Sequence, residues 1–303
     1  MKLAQITPLL KEAGRDWMED KAPRLAAAFS YYTLFSLAPL LIIIVAIAGI
    51  FFGPEAATGQ LAGQIENAVG PETAKVIQSL VVSASKPSAG IMATIIGTVT
   101  LIFGAMAVFG QLQDGLNTIW GVVPRPGRGF WEMIRERLLT FALVLGAGLL
   151  LLGLVLVNVV LTSWSHAVGS DMPGMWILTH IFNLVLSFGV ITLLFAMIYR
   201  ILPDVEILWS DVWGGAILAS LLFALGKWFI SLYLSVSSTG SAYGASGSLV
   251  VLLLWIYYSA QILFFGAEFT KVYAKKMRKN LKPADNADFV TNEMRVEEGL
   301  APK

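Results

Sequence analysis

The chain has 303 residues, of which 56% are hydrophobic and only 14% charged, well outside the composition of an ordinary soluble domain, where about a quarter of residues are charged. Its 21 Lys and Arg nearly balance 20 Asp and Glu, so net charge gives no argument for nucleic acid or an acidic substrate. Cysteine is absent, which excludes disulfides, thiolate metal sites, iron–sulfur clusters and a cysteine nucleophile.

Residues 1–24 lack an apolar core followed by a cleavage site, so no signal peptide is expected. Leu9, Leu10, Ala13, Trp17 and Met18 stand among Lys11, Glu12, Arg15, Asp16, Glu19 and Asp20. That pattern predicts a short helix lying at the cytoplasmic interface, with a solvated arm as the plainer alternative. A spanning helix needs about 20 mostly apolar residues to cross a hydrocarbon layer of about 30 Å. Six segments qualify, at about 25–52, 89–120, 138–162, 174–200, 211–236 and 248–271, and the expected class is an all-α polytopic membrane protein.

Orientation follows from where Lys and Arg fall, because those residues resist translocation. They concentrate in the N-terminal arm, the second loop (Arg125, Arg128, Arg135, Arg137), the fourth loop (Arg200) and the segment from Lys271 onward, whereas the first, third and fifth loops hold only Lys75 and Lys86. Both termini are therefore expected in the cytoplasm, with a six-helix domain over 25–274. The outer loop 54–87 places Leu61, Ile65 and Val69, then Val76, Ile77, Leu80 and Val81, on either side of Gly70-Pro71, which predicts two amphipathic helices. The polar segment 275–303 has no repeating apolar face and is expected to be disordered.

Ionisable groups inside a span cost several kcal/mol unless they meet protein or water, so they are functional candidates. In the second span Thr100, Gly104, Ala107, Gln111, Asp114 and Thr118 recur every three or four residues and share a face. In the fifth span Ala216, Ser220, Ala224, Lys227, Ser231 and Ser235 do the same, in the sixth Tyr257, Gln261, Phe264 and Glu268, and Asn183 and Ser187 mark the fourth. Helix packing through small residues is the plain account of these stripes. The sharper account is a shared water-accessible cavity, with Gln111, Asp114, Lys227, Ser231, Tyr257, Gln261 and Glu268 as substrate-binding or coupling candidates. Lys227 lies too far from Glu268 along straight helices for a direct ion pair, which leaves it to meet backbone carbonyls, to snorkel or to bind an anionic group. Asp114 and Glu268, near the cytoplasmic side, have Arg24, Arg125 and Arg200 as candidate partners. The flexible fifth loop around Gly240, Tyr243, Gly244 and Gly247 is a candidate gate, or equally a tight outer turn.

The segments AAAFSYYTLFSLAPLL (26–41), LNTIWGV (116–122), LPDVEILWSDVWGGA (202–216) and GKWFISLYLSVSSTGSAYGASGSLVVLLLWIYYSAQILFFGAEFTKVYA (226–274) resemble the YihY/BrkB family of bacterial inner-membrane proteins, once labelled ribonuclease BN. The Pro124-Arg125-Pro126-Gly127 loop shares that likeness. The resemblance implies a six-helix protein of the bacterial inner membrane and implies no particular activity.

The residues argue against a nuclease, which needs convergent metal ligands or an acid–base pair beside a positive surface; no catalytic residue, metal site, cofactor or nucleic-acid partner is expected. A Walker phosphate loop is absent as well. Membrane lipids are the expected partners, with envelope proteins as further candidates. The expected functions are translocation of a lipid or other amphiphilic anion, a non-catalytic envelope scaffold, or an ion-coupled solute carrier using Asp114 or Glu268.

Overall fold

The computed structural model describes residues 3–36, 107–125, 175–236, 245–277 and 281–301, with isolated helical positions between 146 and 160. The outer loop 54–87, most of the first three expected spans and the candidate gate at Gly240, Tyr243 and Gly244 lie outside the described residues. Gly247 falls in the first turn of a helix.

In chain order the elements are α1 (Leu3–Glu19), α2 (22–36), α3 (107–120), β1 (Val122–Pro124), α4 (Met175–Ile201), α5 (Trp209–Val236), α6 (Ala245–Met277), β2 (Ala287–Phe289) and α7 (Asn292–Glu297). Within α4, α5 and α6, the stretches Ile181–Ile201, Trp209–Phe229 and Leu252–Met277 are each long and apolar enough to cross a membrane. Their outward residues, including Leu184, Val185, Leu221, Leu225 and Leu254, are exposed and apolar, as lipid contact demands.

Helix α5 lies between α4 and α6 and packs on both. A Cβ at Gly215 would collide with Thr270 Oγ1 and the Gly266 carbonyl, and one at Gly266 with the Tyr199 hydroxyl and Ala219. Small residues thus let the α5 and α6 backbones touch, the usual device where hydrophobicity cannot drive helices together. Two tyrosine hydroxyls are satisfied along the same seam: Tyr199 donates to the Leu263 carbonyl at 2.9 Å, and Tyr258 to that of Leu222 at 3.2 Å.

Trp209 and Trp213 are exposed near the start of α5, and Trp228 beyond its middle. Trp209 and Trp228 are nineteen residues apart, about 28 Å along the axis, close to the ~30 Å thickness of a bilayer core. Indole rings favour the headgroup level, and this spacing fits one ring toward each face of a bilayer.

The N-terminal arm is helical. It docks on protein, however: Leu9 and Ala13 are buried against Phe269 and Val272 of α6, while Met18 stays exposed. Lys21 turns the chain between α1 and α2 in the left-handed region (φ 50°), a conformation costing a non-glycine residue about 1 kcal/mol. Its carbonyl receives the amide of Arg24 at 2.8 Å and starts α2. The bend leaves Asp20 wholly buried.

The disorder expected of the C-terminal segment is not found over 281–301. Val122↔Phe289, Val123↔Asp288 and Pro124↔Ala287 pair antiparallel as β1 and β2, after Gly121 has ended α3 at φ 68°. Helix α7 is capped at both ends. Thr291 Oγ1 accepts from Met294 N, and beyond the last turn Gly299 N donates to Val296 O and Leu300 N to Arg295 O, the paired bonds of a glycine-terminated helix. The segment is polar because it makes polar contacts, so the composition that suggested disorder instead reflects docking onto loops.

Candidate functional site

One end of the described bundle collects ionisable side chains from distant parts of the sequence. Lys271, on α6, is 1% exposed. Its ammonium donates to Asp20 Oδ2 at 3.0 Å and to the Ile119 carbonyl at 2.8 Å. Glu268 Oε2 lies 2.6 Å away and Asp16 Oδ2 3.5 Å. Asp20 also bridges to the tail: Arg295 Nη2 donates to Oδ1 at 2.7 Å, while Arg295 Nε donates to the Ala301 carbonyl at 2.7 Å. The N-terminal arm, the end of α3, α6 and α7 are therefore tied together by one buried carboxylate and one buried ammonium. Asp16 and Asp20 of the N-terminal arm and Arg295 of the tail thus meet at one end of the described bundle.

A second polar joint lies in the turn between α4 and α5. Asp204 is buried and accepts from Asn117 Nδ2 at 2.8 Å and Asn286 Nδ2 at 3.2 Å, with Gln113 Nε2 at 3.3 Å. The Asp204 amide donates back to Asn117 Oδ1 at 2.9 Å. Tail and turn also exchange backbone bonds, Glu206 N to Lys282 O and Ala284 N to Asp204 O, both at 3.0 Å. At the rim, Arg125 Nε and Nη2 donate to Asp288 Oδ1 at 2.9 Å. That hydrogen bond, reinforced by the guanidinium charge, holds Asp288 below the ordinary aspartate range and raises Arg125.

The structure redistributes the residues singled out from the sequence. Glu268 is buried in the ion cluster, and its partner is Lys271, three residues on, in place of Arg24, Arg125 or Arg200. Asp114 is exposed and Gln111 and Thr118 are half-buried; the inward face of α3 is instead Val108, Leu112, Leu116 and Ile119. The fifth-span stripe also divides. Ala216 and Ser220 are buried, Ala224 and Lys227 are exposed, and Ser231 belongs to a stretch whose side chains lie outside the described residues. The α5 face that meets α6 contains Gly215, Ala219 and Gly226, one position away from the stripe. Tyr257 packs half-buried on the core. Gln261 is half-buried, its Oε1 without a hydrogen-bond partner among the described residues.

Lys227 thus does not join Glu268 or Asp114 in a described cavity. It is exposed on α5 beside Trp228 and Phe229, which are 60% and 58% exposed. Gly226 packs on Tyr258, which puts Lys227 about 15 Å along α6 from Glu268.

Sequence reasoning missed Lys271, Asp20, Arg295, Asn117 and Asp204. A signal existed for two of them: Asn117 and Asp204 stand in LNTIWGV and LPDVEILWSDVWGGA, the segments that carry the family likeness, and the fold joins those segments through this pair.

Apolar helices with lipid-facing sides, closed at one end by loops and both chain ends around buried ions, define an integral membrane protein of the helical-bundle class. The sequence profile described as Virulence factor BrkB matches residues 13–289, and the chain belongs to that family. It is similar to UPF0761 membrane proteins of bacteria: 29% identical over 274 residues to one from Methylibium petroleiphilum, covering 85% of this chain and 60% of the relative. It is 28% identical over 255 residues to one from Pseudomonas aeruginosa strain PAO1, covering 83% and 59%. The chain spans about three-fifths of the length of these curated relatives. No solved structure matches it.

Proposed function

We propose that the protein is a non-catalytic transporter or flippase of a lipid or other amphiphilic anion in the bacterial inner membrane, and that the Lys271 cluster is a closed gate at one end of its path. The supporting observation is the burial of Asp20, Glu268, Lys271 and Arg295 where separate chain segments meet. Buried ion pairs stabilise no better than well-packed apolar side chains, and a role in switching between arrangements is among their best-attested uses. Transmembrane ionisable groups, likewise, tend to mark pathways and relays. In this reading Lys227 anchors the protein at the far headgroup level, and the termini and the Lys271 end face the cytoplasm.

Vesicles of phosphatidylethanolamine and phosphatidylglycerol, carrying a trace of fluorescent phosphatidylglycerol in both leaflets, provide the test. External dithionite bleaches about half the dye in protein-free vesicles; the transporter should raise that fraction well above half within minutes. A fraction unchanged by protein, for fluorescent phosphatidylglycerol and phosphatidylcholine alike, would remove lipid translocation from the account.

A scaffold role is the second reading, favoured by one feature. Phe289, Met294 and Val296 are exposed on the tail beside exposed Glu293, Glu297 and Glu298, a mixed apolar and acidic surface suited to a basic protein partner.

A further inference from the structure

We propose that residues 281–301 act as a detachable latch, which binds the end of the bundle and on release opens the Asp20–Lys271 cluster to water. Three features carry this. First, the bonds that end α7 are internal: the Thr291 cap and the Gly299 and Leu300 bonds lie within the segment, so a separate set of contacts ties it to the bundle.

Second, the latch holds on mainly through groups that water can replace. Its attachments include the β1–β2 pairing, the Glu206–Lys282 and Ala284–Asp204 backbone bonds, Asn286 on Asp204, Arg125 on Asp288, Arg295 on Asp20 and the half-buried Leu281 against the core. Ala287 and Leu300 are buried, whereas Phe289, Met294 and Val296 point outward. Exchanging protein for water hydrogen bonds is nearly balanced, while exposing apolar surface is costly. An element held by polar contacts and little apolar area is the kind that opens separately from a packed core. The α5–α6 seam, with its touching backbones and buried rings, is the opposite case.

Third, release has a defined electrostatic effect. Arg295 leaves with the latch and takes one positive charge from Asp20, while Lys271 stays on α6 with Asp20, Glu268 and Asp16. The cluster becomes more negative and reachable by water at the same moment. The latch stands on its own contacts; its role as the movable part of the gate rests on the transport reading above.

The cysteine-free chain makes the test direct. Ala287→Cys reports on the latch and Ala260→Cys, in the α6 core, on the bundle; both positions are buried. In full-length protein reconstituted in vesicles, Arg295→Ala should speed maleimide labelling at 287 at least tenfold and leave 260 unchanged, with Arg295→Lys in between. No acceleration at 287, or equal acceleration at both positions, would overturn the latch. Glu206→Cys with Lys282→Cys, at adjoining backbones, then locks the segment by a disulfide. Locked protein should lose lipid movement and regain it on reduction. Unchanged movement when locked would overturn the gating role, and no movement in any form would sink the transport reading while the labelling result still decides the latch.

Discussion

The α5–α6 pair carries a lysine near each end, and the two are handled in opposite ways. Lys227 is exposed between Gly226 and the exposed rings of Trp228 and Phe229, placed as a lysine that snorkels toward headgroups would be. Lys271 is sealed from solvent and meets Asp20, Glu268 and the Ile119 carbonyl. Hydropathy marks the first as the anomaly, since it interrupts an apolar run, and passes over the second, which stands among the charges of a helix end. The difference is one of neighbours: a charge at a membrane boundary finds water by itself, whereas a charge enclosed by protein must be compensated by protein.

Lys271→Ala should have the largest effect, because it leaves Asp20 and Glu268 buried without their shared cation; breaking such a pair costs about 3–5 kcal/mol. A large fall in thermal stability of the purified protein is the expected readout. Gly215→Leu comes next. It drives a side chain into the Gly266 carbonyl, which cannot move aside, and overpacking of this kind costs about 1–3 kcal/mol. Reduced yield of folded protein, with α5 and α6 more open to proteases, would show it. Lys227→Ala should change stability by no more than about 0.5 kcal/mol, the usual range for exposed sites, and leave lipid movement within twofold of the native rate. A collapse of transport in a stable Lys227→Ala protein would reverse the comparison.

The smallest effect concerns Asp288. Its carboxyl titrates below the ordinary aspartate range because Arg125 stabilises the ionised form. The pair therefore contributes fully above that range and is lost as pH falls through the lowered value. Amide protection factors in the tail, which remove the intrinsic pH dependence of exchange, should fall modestly on going from neutral pH to about 3, relative to an Asp288→Asn variant that lacks the pH-dependent part.

How much of this could be read from the sequence differs by element. The runs over α4, α5 and α6 were legible because spanning a membrane demands length and apolarity, which one segment carries alone. The amphipathic character of α1 was legible too, but its docking on Phe269 and Val272 was not, since periodicity identifies an apolar face without identifying what covers it. The stripe through Ala216 and Lys227 misled because small residues occupy two adjacent faces of α5, and the face chosen was the one interrupted by a lysine. The tail was misread because it borrows its order: β2 exists only against β1, and six residues of α7 are too few to hold a helix without tertiary support. Thr291 starts α7 and Gly299 ends it, but no apolar run lies between them to call attention to a helix. The Asp20–Lys271 pair joins residues separated by 251 positions, a distance no local pattern bridges.

A double-mutant cycle on Asp20 and Lys271, using Asp20→Asn, Lys271→Met and the double variant in the purified protein, tests the central claim most directly. If the two side chains form the buried joint between the N-terminal arm and α6, each single variant is strongly destabilised and the double variant recovers part of the loss, with a coupling of about 2 kcal/mol or more. Losses that simply add would mean that the two charges act independently, and the closed end described here would not be held by their contact.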